Sequence, residues 1–154
     1  MSKAYDRVEW GFLEKLMLQL GFAQELISKC ICTVRYRFKV NGTCTDRVIP
    51  GRGLRQGDPI SPYMFLLCAE GLSALIQHAE TTRQIKGIEV APGTPSVSHL
   101  LFANDSFLLF EATPESIQII NQVLHVYELG SGQMNNRDKS AVMFSKNTSN
   151  RVKT

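Results

Sequence analysis

The feature that most constrains the fold is a loop rich in glycine and proline, 52–62, which leads directly into a long apolar segment, 63–76. Apolar residues on nearly all sides of that segment predict a helix from about Pro62 to Ala79 that is buried on most sides. The loop therefore enters the N-terminus of this helix. Backbone amides and the loop arginines can face a phosphate group there. The alternative interpretation is a polar turn that caps a core helix.

Length and composition predict one intracellular domain, nuclear or cytoplasmic. The chain has 154 residues, of which 44% are hydrophobic, and these values are ordinary for a globular domain. A net charge of +3 permits a nucleic-acid partner without requiring one. The longest apolar run is interrupted by Glu70 and is too short to span a bilayer. We expect no signal peptide, because the N-terminus is polar and carries Asp6 and Glu9.

The cysteines do not indicate a metal site. They lack the paired spacing and the accompanying histidines of zinc-binding sequences. We expect reduced thiols that are mostly packed in the interior. The residues concerned are Cys30, Cys32, Cys44 and Cys68.

Helical and strand patterns alternate without the rhythm of a parallel sheet. Apolar spacing predicts further helices at 5–20, 23–34 and 115–129. Alternating or β-rich runs predict strands at 35–40, 45–49, 85–90, 97–102, 107–110 and 141–144. The expected class is α+β, with helices packed on one face of a mostly antiparallel sheet.

A basic ribbon is predicted near the middle of the first half of the chain. Arg35, Arg37 and Lys39 alternate with apolar residues, and the pair Asn41-Gly42 signals a hairpin turn. The three cations therefore share one face. That face is either solvated or turned toward phosphates, and the pattern does not separate the two interpretations.

Three motifs in one order point to a known family. They are Ser-Lys-Ala-Tyr-Asp at 2–6, Arg-Gly-Leu-Arg-Gln-Gly-Asp-Pro-Ile-Ser-Pro at 52–62, and Phe-Ala-Asn-Asp at 102–105. Together they resemble the reverse transcriptase domain of non-LTR (LINE-type) retrotransposons, especially those of plants. The resemblance extends from Ser2 to about Ser145. It implies a polymerase palm-like antiparallel sheet with packed helices and part of the fingers, without a thumb. The domain would span 1–145, followed by a polar, frayed tail at 146–154.

The resemblance also implies partners and a cofactor. They are an RNA template, a DNA primer, a dNTP and Mg²⁺, with no membrane. In the family, three aspartates converge on two divalent ions that clamp the attacking and leaving oxygens. Here Asp105 matches one of them, whereas Asn104 stands where the family has another. The family's first aspartate would stand immediately before Met1, so we expect this chain to lack it. Asp6 matches an acidic position that is not a ligand, and we expect it to cap the following helix.

These differences predict weak or absent Mg²⁺ binding. One unit of charge about 4 Å from another contributes roughly 4 kcal/mol at an effective dielectric constant near 20. That energy corresponds to about a thousandfold in rate. We therefore expect this copy to be inactive, and we do not expect Asn104→Asp alone to restore activity.

Other positions match nucleotide-binding residues of the family. Lys3 and Ala4 match a segment whose amides approach the triphosphate. Tyr5 matches the aromatic ring that lies under the sugar and excludes a 2′-hydroxyl. Gln56 matches a residue beside that sugar, and Gly57 lets the backbone come close. Without the resemblance, Tyr5 would be interpreted as a core tyrosine.

Two further cations have open roles. Arg55 pairs either with phosphate or with Asp58. Lys139 matches a lysine near the pyrophosphate that serves as a general acid, or it is a solvated lysine before a strand.

Two alternatives to an inactive reverse transcriptase fragment remain. One is a non-catalytic module that binds RNA or an RNA–DNA hybrid. The other is a retroelement relic without a selected activity. The binding module would contact phosphates through Arg35, Arg37, Lys39, Arg52 and Arg55.

Overall fold

The computed structural model describes residues 4–31, 33–146 and 148, and it has four α-helices within them. The helices are α1 (Trp10–Gln19), α2 (Gln24–Ile31), α3 (Ser61–Thr81) and α4 (Pro114–Ser131), and a 3₁₀ turn covers Arg137–Lys139. The strands are β1 (Lys39–Val40), β2 (Thr43–Cys44), β3 (Ile88–Glu89), β4 (Ser96–Val97), β5 (His99–Phe102) and β6 (Asp105–Leu108). Helices and antiparallel strands are thus mixed, as predicted.

The described strands pair in three separate antiparallel ladders of two strands each, and the single sheet that was expected is not formed among them. The ladders are β1–β2, β3–β4 and β5–β6. The strand predicted at 141–144 is also wrong, because this segment is irregular and Met143 is 95% exposed. This short apolar run pairs with no strand in the part of the chain described. The expected tail falls largely on 147 and 149–154, which lie outside the described residues.

Helix α3 is the central element, and its two halves contribute to two hydrophobic clusters. The first half packs with α1, α2 and the N-terminal segment, and the second half packs with α4 and the β5–β6 hairpin. Its buried residues recur at helical spacing from Ser61 to Ala79. The expected burial on most sides is wrong near the start of the helix, where Tyr63 is 67% and Leu66 58% exposed. The helix therefore presents an apolar face to solvent.

Phe12 joins the two clusters. Its ring lies so close to Gly71 of α3 that a Cβ on that glycine would be 2.8 Å from Phe12 Cζ. The ring also meets Tyr127 of α4 edge-on, with ring centroids 6.0 Å apart. A glycine at position 71 thus allows α1 and α3 to approach closely.

Three helix ends carry residue types that commonly stop or cap helices. Gly21 ends α1 in the left-handed region, with φ +86°, and Phe22 N donates to Met17 O across 3.0 Å. Thr113 caps α4, since its Oγ1 accepts a hydrogen bond from Ser116 N. Gly132 follows α4 with φ +73°.

Helix α1 begins later than predicted, at Trp10 instead of Tyr5. Its N-cap residue is Glu9, whose side chain makes no capping hydrogen bond. The expectation that Asp6 caps this helix is therefore wrong, and Asp6 is an exposed residue of the preceding turn.

Three of the cysteines lie within the described residues. Cys68 is buried, Cys30 is half-buried and Cys44 is exposed, so the expected packing fails for Cys44. Burial raises the pKa of the Cys68 thiol to about 12. Cys32 lies outside the described residues. Within them, the longest and most apolar helices still fall short of what a bilayer crossing requires.

Candidate nucleotide and nucleic-acid site

Three segments that are distant in sequence meet at one place, which we call the junction: residues 4–9, 52–54 and 131–133. Leu54 N donates to Tyr5 O and Gly53 N donates to Val8 O, each across 2.8 Å. Glu9 N donates to Ser131 O across 2.9 Å. The backbone of residues 5–9 is therefore used for pairing, which explains why α1 starts only at Trp10.

Gly53 is required at the junction. Its φ is +86°, and a Cβ there would lie 2.9 Å from Asp6 O. Its carbonyl accepts a hydrogen bond from the indole Nε1 of Trp10 across 2.8 Å. The backbone of the loop at 52–62, which we call the basic loop, is thus bonded on both sides, to the N-terminal segment and to α1.

Arg52 is engaged within the protein. It forms an antiparallel bridge with Glu9, and its Nη1 lies 3.6 Å from Glu9 Oε1. Both side chains remain substantially exposed, so this ion pair contributes little to stability. Arg52 was predicted to bind nucleic acid, and a phosphate there would have to compete with Glu9.

The second half of the basic loop both caps α3 and exposes a cation. Asp58 Oδ1 accepts a hydrogen bond from Ile60 N across 3.0 Å, and Asp58 O accepts one from Ser61 N. Arg55, Gln56 and Gly57 are exposed, and Gly57 has φ +82°. In the part of the chain that the structure describes, Arg55 forms no ion pair with Asp58. The loop therefore makes hydrogen bonds to the amides at the start of α3 and leaves Arg55 exposed, and its contact with phosphate stays a prediction.

Tyr5 stacks on Phe65 of α3, with ring centroids 4.9 Å apart and planes at 9°. Its ring is half-buried, whereas Ala4 beside it is buried. The packing is that of a core tyrosine, but part of the ring remains accessible. Lys3 lies outside the described residues.

A buried polar network that the sequence analysis missed closes the junction. The single hydroxyl proton of Tyr127 is shared between two acceptors, Gln133 Oε1 at 2.8 Å and Cys68 O at 3.1 Å. Gln133 Nε2 donates to Ala4 O across 3.3 Å. Burial, with a smaller contribution from Cys68, raises the pKa of Tyr127, so the phenol is neutral and available as a donor.

The β5–β6 hairpin was predicted from the sequence and is confirmed. Phe102 pairs with Asp105, which leaves Ala103 and Asn104 as the two turn residues. Ala103 has φ +50°, and Asp105 is exposed. The inner side of the hairpin borders a shallow depression. Its lining includes Phe65, Leu101, Ala103, Ser106, Tyr127 and Gln133.

This depression brings the hairpin turn next to the junction. Phe65 is the residue on which Tyr5 stacks, and Gln133 is bonded to Ala4. The two motifs predicted to handle a nucleotide are thus neighbours through shared lining residues.

The described residues do not fit a pair of Mg²⁺ ions. Asp105 is the only carboxylate at the hairpin turn, and no group of three or more His, Cys, Asp or Glu side chains suited to a metal occurs in 4–31, 33–146 and 148. Mg²⁺ takes hard oxygen ligands and usually binds through one or two carboxylates together with substrate phosphates. Asn104 provides at most a neutral carbonyl oxygen. We therefore assign no metal-dependent step to these residues.

The basic ribbon forms a hairpin with the predicted turn. Asn41 and Gly42 both have positive φ, 50° and 86°, and Tyr36 bridges to Val48 farther along. The ladder is shorter than expected, with Lys39 opposite Cys44. Arg35, Arg37 and Lys39 are all exposed, and Arg35 Nη1 donates to Val34 O across 2.9 Å.

Lys139 lies at the end of the 3₁₀ turn and is exposed. The strand that was expected after it is not formed. Its role as a general acid remains a prediction.

A second polar cluster fixes β5 to α3. Ser73 Oγ lies 2.8 Å from His99 Nε2, and Ser98 Oγ lies 3.1 Å from His99 Nδ1. Ser96 Oγ donates to Glu80 Oε1 across 2.7 Å. Hydrogen bonds from Ser98 and Ser96 lower the pKa of Glu80, so the carboxylate is stabilised in its charged form. This cluster holds the hairpin in place behind the depression.

Comparison with known sequences identifies the family of this chain. A sequence model of the reverse transcriptase (RNA-dependent DNA polymerase) family matches residues 1–153. An uncharacterised mitochondrial protein of Arabidopsis thaliana is 46% identical over 76 residues, which are 49% of this chain and 62% of that protein. The chain thus matches less than two thirds of the length of that relative. With the family model covering nearly its whole length, the chain belongs to the reverse transcriptase (RNA-dependent DNA polymerase) family.

Proposed function

We propose that this chain is the nucleotide- and nucleic-acid-binding part of a non-LTR (LINE-type) reverse transcriptase domain of the plant type, and that this copy does not carry out nucleotidyl transfer. The observation that carries the proposal is the depression shared by the junction and the hairpin turn. Its lining residue Phe65 stacks on Tyr5, and its lining residue Ala103 belongs to the hairpin turn in which Asn104 precedes Asp105.

Binding is supported by exposed cations on two separate elements. Arg37 and Lys39 lie on the β1–β2 hairpin, and Arg55 lies in the loop before α3. Lysine and arginine contacts with phosphates supply the salt-dependent part of nucleic-acid affinity. An RNA template paired with a DNA primer is the partner that the family suggests, with a dNTP at the junction.

The proposed absence of nucleotidyl transfer is supported by the missing negative charge at the β5–β6 turn. Replacing one carboxylate of an adjacent pair by an amide removes a full negative charge from a site meant for divalent cations. Solvent screening at this exposed turn reduces the roughly 4 kcal/mol expected at 4 Å. Even a third of that energy corresponds to about a tenfold change in cation affinity.

Two measurements on the same preparation test the proposal. The first is fluorescence anisotropy with a labelled RNA–DNA hybrid that has a recessed DNA primer, across a range of salt concentrations. The second is primer extension on that hybrid with dNTPs and Mg²⁺. We expect binding that weakens with salt, and no extension.

A matched pair of variants locates the binding surface. Arg37→Gln with Lys39→Gln should weaken binding, and the slope of log affinity against log salt should fall by about one for each phosphate that is no longer neutralised. The control, Lys15→Gln with Arg83→Gln, removes one lysine and one arginine from exposed positions elsewhere and should leave binding nearly unchanged. Absence of binding at low salt would contradict the binding role, and incorporation of nucleotides would contradict the proposed inactivity.

A further inference from the structure

Gln133 links three elements through its side chain. It is 1% exposed and lies just past the end of α4. Its amide oxygen accepts from Tyr127 of α4, which also bonds to the backbone of Cys68 in α3. Its amide nitrogen donates to the carbonyl of Ala4, 129 positions earlier in the chain.

The orientation of this amide is fixed by its neighbours. The Ala4 carbonyl can only accept a hydrogen bond, so the amide nitrogen must face it. The amide oxygen is then left to accept from the Tyr127 hydroxyl. Every buried side-chain nitrogen and oxygen among the described residues, including both amide atoms of Gln133, has at least one hydrogen-bond partner.

Packing alone does not require an amide here. An apolar side chain of similar length would fill the same space without the desolvation cost of a buried amide. The amide adds a directional hydrogen bond, because a donor hydrogen prefers to lie near the plane of the carbonyl group that accepts it. The bond therefore favours one orientation of the accepting peptide. That peptide joins Ala4 to Tyr5, whose ring stacks on Phe65 and whose carbonyl accepts from Leu54 N.

The same side chain borders the depression that contains Ala103 and Ser106 of the hairpin. Gln133 is therefore hydrogen-bonded to the junction and lines the same depression as the hairpin turn. We infer that Gln133 is a positioning residue, which holds the Ala4–Tyr5 peptide in a fixed orientation relative to the turn at Ala103 and Asn104. Its importance for nucleotide binding rests on the proposed function, whereas its effect on the peptide does not.

Hydrogen exchange tests the positioning directly. In Gln133→Leu, the Leu54 amide, which is bonded to Tyr5 O, should exchange about tenfold faster than in the unmodified protein, as expected for the loss of one buried hydrogen bond. Thr113→Ala is the control, since it removes the cap at the opposite end of α4. Equal exchange rates at Leu54 in the two variants, after normalisation to global stability, would overturn the inference.

A second variant separates positioning from a general loss of stability. In Gln133→Glu, burial should raise the carboxyl pKa, and the protonated acid can donate to Ala4 O as the amide does. Protection of the Leu54 amide relative to the unmodified protein should therefore recover as the pH falls from 8 to 5. A pH-independent difference would count against the inference.

Binding of a fluorescent dATP analogue, mant-dATP, connects the positioning to function. We expect several-fold weaker binding by Gln133→Leu and unchanged binding by Thr113→Ala. If the unmodified protein does not bind mant-dATP, the nucleotide role in the proposed function fails, and the exchange rates still decide the role of Gln133. If the Leu54 amide exchanges faster in Gln133→Leu but the variant binds mant-dATP normally, Gln133 is confirmed as a positioning residue. Its importance for nucleotide binding is then refuted.

Discussion

Trp10 donates its indole N–H to the carbonyl oxygen of Gly53 across 2.8 Å, so the first residue of α1 is bonded directly to the basic loop. The same loop is bonded through its backbone to Tyr5 and Val8. Three hydrogen bonds therefore hold a two-residue stretch, Gly53-Leu54, against the N-terminal part of the chain. The position of the loop arginines depends on these bonds.

Trp10→Phe should lower the free energy of unfolding by about 1–2 kcal/mol, since it leaves a partly buried carbonyl without its donor. The Gly53 amide should also exchange faster. Circular dichroism during urea unfolding measures the first effect, because Trp10 is the only tryptophan and its fluorescence is lost. Tyr63→Phe, on the exposed face of α3, is the control and should change stability little. A similar loss in both variants would show that the indole bond is unimportant.

Gly71→Ala should destabilise the protein. The added Cβ would lie 2.8 Å from Phe12 Cζ, and overpacking of this kind costs about 1–3 kcal/mol. The better helix propensity of alanine offsets roughly 1 kcal/mol of that cost. The measurement is the free energy of urea unfolding.

Gly11→Ala is the matched control for Gly71→Ala and should have the opposite sign. Gly11 lies in α1 with no atom within 4 Å of an added Cβ, so alanine should stabilise by about 0.5 kcal/mol. Phe12→Leu combined with Gly71→Ala should recover part of the loss through coupling. Stabilisation by Gly71→Ala would mean that Phe12 moves aside easily.

Glu80 should make stability depend on pH in the acid range. Hydrogen bonds from Ser98 and Ser96 lower its pKa in the folded state. The resulting stabilisation is present above the unfolded value of roughly 4.3 and is lost as the pH falls through the folded pKa. Urea unfolding between pH 3 and 7 should show this component in the unmodified protein and not in Glu80→Gln. Ser96→Ala keeps the carboxylate but removes one hydrogen-bond donor, so the pH-dependent part of its free energy of unfolding should be smaller. The same pH profile in all three proteins would show that Glu80 is not the source of this pH dependence.

Asn104→Asp should increase cation binding at the β5–β6 turn. Two adjacent carboxylates repel each other without a cation and attract a divalent ion, so the variant should bind Mn²⁺ about tenfold more tightly. Titration followed by electron paramagnetic resonance measures this. Asn41→Asp places the same charge in the turn of the β1–β2 hairpin, where no second acid is adjacent, and should leave Mn²⁺ affinity nearly unchanged. Equal affinities in the two variants would argue against a residual cation site at Asp105.

The helices were largely predictable, because their signals are local. Apolar spacing placed α3 and α4 within about two residues of their observed ends. Helix α1 was predicted five residues too early at its start. Residues 5–9 have helical spacing, but their backbone groups form hydrogen bonds with Leu54, Gly53 and Ser131 instead of helical ones. These partners are distant in sequence, so no local pattern indicates them.

The candidate site was only partly predictable for the same reason. The hairpin follows from the two apolar strands, but the strands predicted at 97–102 and 107–110 left a four-residue turn, whereas Asp105 and Ser106 belong to β6 and only Ala103 and Asn104 form the turn. The network of Tyr127 and Gln133 does not, since Tyr127 occupies an ordinary apolar position on α4 and Gln133 follows a turn glycine. A polar residue directly after Gly132 was the only available signal, and turns commonly carry such residues.

The hydrogen bond between Gln133 and Ala4 has a consequence for how the protein is made. Its partners are separated by 129 positions, and a loop of that length closes slowly because the ends must find each other by diffusion. During synthesis, Ala4 and Tyr5 emerge from the ribosome long before α4 exists. Residues 4–9 therefore complete their hydrogen bonds only after residues 131–133 have been synthesised, and until then the carbonyl of Ala4 and the amide of Glu9 lack these partners.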